Sequence, residues 1–228
     1  MSLWIKICAN TSLEDASLAA SAGADAVGFV FAPSPRRVTA AQVAAVVPHL
    51  PPAVEKIGVF VDAGLDEIEE TVCVSGLTGV QLHSSVDPDV PAQLRSRFGP
   101  ALRILCVVHF EHKAQEQVTA IIRDTNVDAI LVDSRTATVV GGTGIAFDWQ
   151  KARDTVFHSA APSRVRMVVA GGLTPANVAE AIATLRPWGV DVVSGVETAP
   201  GRKDAAKVRD FVSNARAALL HPQKEELK

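Results

Sequence analysis

Cys8, at the end of the apolar run WIKIC, and Asp133, at the end of AILVD, are the side chains in this sequence best suited to moving a proton. A thiolate can take a proton from carbon while a carboxyl group delivers one to oxygen, and sugar isomerisation needs both groups across one pocket. Each residue also has a plainer reading: free cysteine is a common small core residue, and a carboxylate at a strand end can cap local N–H groups. A thiol at the mouth of a strand gains catalytic value where a cation or helix dipole favours its thiolate. Cys73, on a helical stretch, and Cys106, within a strand, read as core. Two glycine-rich turns, Ala170-Gly171-Gly172 and Ser194-Gly195-Val196, follow the last two apolar runs. Backbone N–H groups at such turns approach an anion closely, and a following helix N-terminus adds about half a positive charge. A third cluster, Gly141-Gly142-Thr143-Gly144, either folds over the same anion or is a simple linker. Arg36 and Arg37, in PSPRR, either fork onto a substrate carboxylate or form a solvated loop pair. His83 closes GVQLH, as a pocket residue or as a satisfied core histidine. With no HxH, no HExxH and no clustered carboxylates, neither a metal site nor any other cofactor is expected.

These residues fall where they do because strand-length apolar runs alternate with helix-periodic stretches along the whole chain. The runs are Leu3–Cys8, Ala26–Phe31, Lys56–Val61, Gly79–His83, Arg103–Val108, Ala129–Val132, Arg166–Ala170 and Val190–Ser194. Each is nearly continuous in apolar residues, as expected for parallel strands buried on both faces. Thr11 with Glu14 predicts a capping box for the first helix and Gly23 its stop, Thr39 caps the second, and Pro175 is predicted at a first helical position. Further helices are expected over 66–74, 88–98, 111–123, 148–157, 175–186 and 204–220. Eight strand–helix units at about 28 residues each predict an α/β fold, a single-domain (β/α)8 TIM barrel over residues 1–220, with a polar tail at 221–228. A doubly wound sheet is the alternative, but no GxGxxG follows the first run.

The composition fits that reading. The 228 residues carry 22 basic and 25 acidic side chains, a formal charge of −3, so nucleic acid is not the expected partner. With 48% hydrophobic and 21% charged residues the chain has enough apolar surface for a large core. The longest uncharged run, Val38–Val54, is broken by Pro48, Pro51 and Pro52, which argues against a membrane span. The start MSLWIKICANTSLEDA lacks a secretory apolar core and cleavage site, so a cytoplasmic location is expected. Three scattered cysteines predict neither a disulfide framework nor a zinc cage.

Nine strings in order, KICANTSLEDA, GADAVGFVF, SPRRV, IGVFVD, GVQLH, LVDS, GGTGIAFDW, AGGLTPANVAEAI and GVDVVSGVETAPGRKD, resemble the phosphoribosylanthranilate isomerase family of tryptophan biosynthesis across nearly the whole chain. The resemblance implies a small (β/α)8 barrel that performs a cofactor-free Amadori rearrangement of N-(5′-phosphoribosyl)anthranilate. It implies Cys8 as general base, Asp133 as general acid and Arg36 as the anthranilate carboxylate site. The phosphate is then implied to rest on backbone N–H groups at Gly142, Gly171, Gly172, Ser194 and Gly195, with a phosphorylated small molecule as the partner and a monomer or homodimer as the assembly. The chain departs from the family pattern at Ala9 and Asn10, where glycine and a hydrophobic residue are usual, and at Ser84, where glycine is usual. Arg37 stands where an aromatic residue is common, and the FVFAPSPRR loop is one residue short of many relatives. A positive φ at position 9 would strain alanine by about 1 kcal/mol or more. The analogous isomerase of histidine biosynthesis fits less well, because that family uses aspartate where this chain has Cys8 and binds a second phosphate for which no turn is found. A non-catalytic phosphosugar-binding or partner-binding barrel is the remaining alternative, motivated by the departures at Ala9, Asn10 and Ser84.

Overall fold

A computed structural model describes residues 3–83, 87–133, 148–158 and 163–220. Eight parallel strands close into a barrel in chain order: β1 (Trp4–Ile7), β2 (Ala26–Val30), β3 (Glu55–Phe60), β4 (Gly79–Leu82), β5 (Arg103–His109), β6 (Ala129–Asp133), β7 (Arg166–Ala170) and β8 (Gly189–Val192). Closure is made by β1 pairing β8 over four positions, from Trp4↔Gly189 to Ile7↔Val192. Helices α1 (Leu13–Ser21), α2 (Ala40–Val46), α3 (Leu65–Ser75), α4 (Val90–Phe98), α5 (Ala114–Ile122), α6 (Trp149–Ala152), α7 (Val178–Leu185) and α8 (Ala205–Leu220) follow successive strands. This is the (β/α)8 barrel that the alternation of runs predicts, and each of the eight predicted strands is present to within a residue or two at either end.

Successive side chains on a strand point to opposite faces, so each strand feeds two cores. Ile5, Ile7, Phe29, Ile104, Ile130 and Val169 pack outward beneath the helices. Trp4, Ala26, Ile57, Leu105, Leu131 and Val168 fill the lower barrel interior. At the N-terminal face Trp4 stacks on Trp188 at 5.1 Å, with the Arg103 and Arg166 guanidinium groups over Trp188. Higher in the interior the filling turns polar: Lys6, Gln81 and Asp191 are all buried. Above them the same inward-facing register ends in Cys8, His83, His109 and Asp133.

Several local expectations are corrected. The N-cap of α1 is Ser12, whose hydroxyl accepts from Asp15 N, while the Thr11 hydroxyl instead donates to Gly201 O at 2.7 Å. Thr39 caps α2 through a full capping box with Gln42. Pro175 is not the first residue of α7, which begins at Val178; the residues before it form a turn in which Asn177 accepts from Thr174 N and donates to Gly172 O. That turn ties α7 to the Gly171-Gly172 loop. The helix expected over 148–157 is one α-turn followed by a π-helical stretch, Arg153–Phe157, closed by His158 N donating to Arg153 O. The widened turn coincides with consecutive Val156 and Phe157 both being buried. Cys73 is exposed on α3, whose buried face carries Ile68 and Val72, so it is not core. An unpredicted hairpin, β9 (Glu197–Ala199) with β10 (Arg202–Lys203), sits between β8 and α8. Among the described residues no helix is long and apolar enough to cross a membrane, and no group of His, Cys, Asp and Glu could hold a metal ion. The tail at 221–228 lies outside the described residues.

Candidate active site

Cys8 follows β1 by one residue and keeps its inward register, two positions beyond Lys6. Both side chains fit because Gly28 lies opposite: a Cβ on Gly28 would come within 2.4 Å of the Cys8 sulfur and 3.0 Å of Lys6 Cε. Lys6 is fully buried, and its ammonium donates to Gln81 Oε1 at 2.8 Å and to Asp191 Oδ1 at 2.9 Å. Burial, with the Asp191 charge adding to it, pushes the Cys8 thiol up and outweighs the opposing pull of the Lys6 and Lys203 charges, so the thiol titrates above its ordinary range. The chain leaves Cys8 through Ala9, at φ 61°, a left-handed conformation. The strain foreseen for alanine at this position is therefore present. Asn10, whose type also departs from the family pattern, is fully buried and donates its amide to Ile7 O and Gly28 O, bonds that a hydrophobic residue could not make.

The left-handed conformation costs alanine roughly 1–2 kcal/mol. Glycine would remove that strain, but it gives up a buried methyl worth about 0.8 kcal/mol and loosens the unfolded chain by about 0.4–1 kcal/mol. Ala9→Gly is accordingly expected to leave stability within about 1 kcal/mol of the parent. Ala9→Val, β-branched and forced into a buried left-handed site, is expected to cost several times that. Urea unfolding midpoints at constant m-value measure both.

Asp133, the last residue of β6, is buried, as are the inward-facing Ala129 and Leu131 below it. Its register partner on β5 is His109, so both side chains lie on the inner face side by side, and the His109 ring lies 5.7 Å from the ring of His83. His83 thus stands at the mouth, beside His109, an inward-facing residue that the strand pattern reaches but does not distinguish.

The two glycine turns come together. One cavity at the C-terminal ends of β7 and β8 is lined by Gly171, Gly172, Ser194, Gly195, Asp191 and Arg36 among others. Gly171 and Gly172 have φ values of 86° and 64°, open to glycine at little cost. Gly195 sits so close to the first turn that a Cβ there would lie 1.9 Å from Leu173 O. Consecutive N–H groups in such turns form a concavity suited to an anion. Gly142, with the whole Gly141–Gly144 cluster, and Ser84 lie outside the described residues.

Arg36 reaches this cavity, but its fork is not empty. Nε and Nη2 donate to the Glu197 carboxylate at 2.7–3.1 Å, so the Nε–Nη2 edge of the guanidinium is occupied and its Nη1 end lies outside that bond. Glu197 also meets Lys203 Nζ at 3.2 Å, and Lys203 in turn donates to Cys8 O at 2.6 Å. Burial acts to raise the Glu197 carboxyl, yet Arg36 and Lys203 outweigh it and hold the group below the usual range. The β9–β10 hairpin therefore supports both ends of the site. Its Glu197 orients Arg36, and its Lys203 fixes the backbone of Cys8. Lys6, Asp191, Glu197 and Lys203 lie within the strings KICANTSLEDA and GVDVVSGVETAPGRKD but their spacing does not single them out; the one hint is that Lys6 and Asp191 are charges inside otherwise buried strands.

A family model for N-(5′-phosphoribosyl)anthranilate (PRA) isomerase matches residues 5–214 of this chain. The chain is 43% identical over 213 residues to N-(5′-phosphoribosyl)anthranilate isomerase of Pelobacter propionicus, covering 93% of this chain and 95% of that protein. Among solved structures it resembles phosphoribosyl anthranilate isomerase from Thermotoga maritima, with a TM-score of 0.77 and 34% identity over 94% of this chain and 99% of that one. A second is phosphoribosyl anthranilate isomerase in complex with reduced 1-(o-carboxyphenylamino)-1-deoxyribulose 5-phosphate, with a TM-score of 0.76 and 32% identity over the same shares. With a full-length profile match, more than 40% identity to a curated relative and the same barrel, the chain belongs to the phosphoribosylanthranilate isomerase family.

Proposed function

We propose that this protein catalyses the Amadori rearrangement of N-(5′-phosphoribosyl)anthranilate to 1-(o-carboxyphenylamino)-1-deoxyribulose 5-phosphate in tryptophan biosynthesis. The reading rests above all on one arrangement: a buried thiol and a buried carboxyl at the inner mouth of β1 and β6, beside a double glycine turn at β7 and β8. The substrate phosphate sits on the N–H groups of Gly171, Gly172, Ser194 and Gly195, where backbone dipoles bind an anion without a net positive chain charge. The anthranilate carboxylate takes the Nη1 end of Arg36, which Glu197 holds in orientation. His83 borders the substrate from β4.

Asp133 donates a proton to the furanose ring oxygen, the C1′–O bond breaks, and the nitrogen lone pair forms the C1′=N iminium. Cys8, as thiolate, removes the C2′ proton, and the C–H electron pair becomes the C1′=C2′ bond while the iminium nitrogen is neutralised. The enolamine gains a proton at C1′ and loses one from the C2′ hydroxyl to give the ketone. No electrons enter or leave, so no cofactor is required.

The test is turnover. N-(5′-phosphoribosyl)anthranilate is generated from anthranilate and phosphoribosyl pyrophosphate by the transferase that joins them, and its fluorescence is followed. The expected result is decay faster than the spontaneous background, with inorganic phosphate raising KM and leaving kcat unchanged. A folded sample that binds phosphate yet leaves the signal at background would overturn the reading in favour of a non-catalytic barrel.

A further inference from the structure

The polar layer below the site is costly. Lys6 is fully buried among strands whose other inward residues are largely apolar, and its Asp191 partner is 5% exposed in its side chain. A buried ion pair is often no more stabilising than apolar residues of the same volume, so the pair needs a reason beyond packing. Its geometry supplies one. An ammonium has three N–H donors. Two go to Gln81 Oε1 and Asp191 Oδ1. The third remains, and the end of the Lys6 chain shares with the Cys8 sulfur the notch that the missing Cβ of Gly28 leaves open: a Cβ there would lie 2.4 Å from the sulfur and 3.0 Å from Lys6 Cε.

We propose that Lys6, clamped between Gln81 and Asp191, is a positioning residue that holds its third N–H on the Cys8 sulfur and stabilises the thiolate, with Asp191 moderating the effect from the opposite side. This rests on Cys8 being the base and adds the group that makes it one. Lys6 itself transfers no proton. Burial works against its charge, but Asp191 and Cys8 outweigh that and keep it an ammonium. The charged and titratable groups around Cys8 are few and each has a definite sign. Lys6 on β1 and Lys203 on β10 favour the thiolate, Asp191 on β8 opposes it, and Gly28 on β2 carries no charge. Glu197 acts only through Lys203. Asp133, His109 and His83 face the same interior from β6, β5 and β4, at the level of the mouth.

The two members of the pair must therefore shift the Cys8 titration in opposite directions, which a merely structural role would not do. The sequence contains no tyrosine, so thiolate absorbance in the ultraviolet is not overlaid by tyrosinate. Each background is titrated with and without Cys8→Ala, and the difference isolates this thiol from Cys73 and Cys106. In Lys6→Met the midpoint is expected to rise by about a unit or more, and in Asp191→Asn to fall by a similar amount. At neutral pH kcat of Lys6→Met is expected to drop about tenfold or more, recovering as pH is raised, with KM little changed. Midpoints that stay with the parent, or move in the same direction in both variants, overturn the proposal. Should Lys6→Met not fold, the near-isosteric Asp191→Asn carries the test alone, and a midpoint that stays or rises is the refuting result. Turnover that survives Cys8→Ala would instead sink the base assignment while leaving these titration shifts intact, so the two failures are distinguishable.

Discussion

Cys8→Ala and Asp133→Asn are each expected to lower kcat by about 10²- to 10⁴-fold, with KM changed only a few-fold. Neither side chain belongs to the glycine turns or to Arg36, the proposed phosphate and carboxylate sites, so ground-state affinity is expected to survive the loss of either. In the proposed mechanism the groups act in successive steps, Asp133 in ring opening and Cys8 in proton abstraction, so the slower step governs. The double variant should then resemble the worse single variant rather than the product of both losses. The pH dependence of the Cys8 contribution has a definite sign. Burial holds the Cys8 thiol above its ordinary range, and the proposed active form is the thiolate, so the contribution of Cys8 to kcat/KM rises with pH and keeps rising past the ordinary thiol range, while the need for a protonated Asp133 acts in the opposite direction. Cys8→Ala removes that rise. Stability runs the other way: the thiol forms of Cys8 and of Cys106, pushed up to about 12, are favoured by folding, so their contribution is present below the unfolded thiol pKa of about 9 and is lost as pH climbs through the folded values. Rate and stability profiles measured on the parent and both variants check all of this; a full rate in Cys8→Ala at neutral pH would refute the assignment.

What the sequence makes legible follows the range of the interactions. Strands buried on both faces leave a continuous apolar run, and eight such runs separated by helical periods admit few closures, so the barrel and the strand ends are readable. Cys8, His83, Asp133 and the two glycine turns are readable for the same reason, since each closes a run. The support of the site is not. Lys6 finds Asp191 at a separation of 185 residues and Arg36 finds Glu197 at 161, and no local spacing encodes either pair. In the sequence Arg36 offers an open fork; in the fold one edge of that fork is spent on Glu197, which changes how a carboxylate can approach it. The cap of α1 shows the same limit at short range. Thr11 and Ser12 are equally good capping residues, and the choice falls to Ser12 because Gly201, brought up by the β9–β10 hairpin, takes the Thr11 hydroxyl. Position 9 is the converse case: the motif says glycine, the chain says alanine, and the backbone keeps the left-handed turn regardless. Local preference yields there because Asn10 and Lys203 pin the residues on either side.

Gly195→Ala should separate the phosphate turns and raise KM by about a hundredfold or more, in proportion to the charge-assisted backbone bonds lost at roughly 1.5–3 kcal/mol each. The reason is steric and leaves no easy escape. The added methyl would lie 1.9 Å from the Leu173 carbonyl oxygen and 2.9 Å from its carbon, and both are backbone atoms. A flexible side chain could swing aside; a carbonyl that follows Gly171 and Gly172 cannot move without dragging those N–H groups with it. Asn177, which holds the same loop through Gly172 O and Thr174 N, resists the shift and adds to its cost. Overpacking of this kind costs about 1–3 kcal/mol of stability, well below what a barrel of this size can lose and remain folded. The loss is thus expected in KM and in inhibition by inorganic phosphate, with kcat at saturating substrate falling far less, because Cys8 and Asp133 are carried by the neighbouring strands β1 and β6 and not by the turn itself. Steady-state kinetics together with phosphate inhibition constants test it. An unchanged phosphate affinity in a folded Gly195→Ala protein would mean that the anion is held elsewhere, and the β7–β8 turns would lose their role.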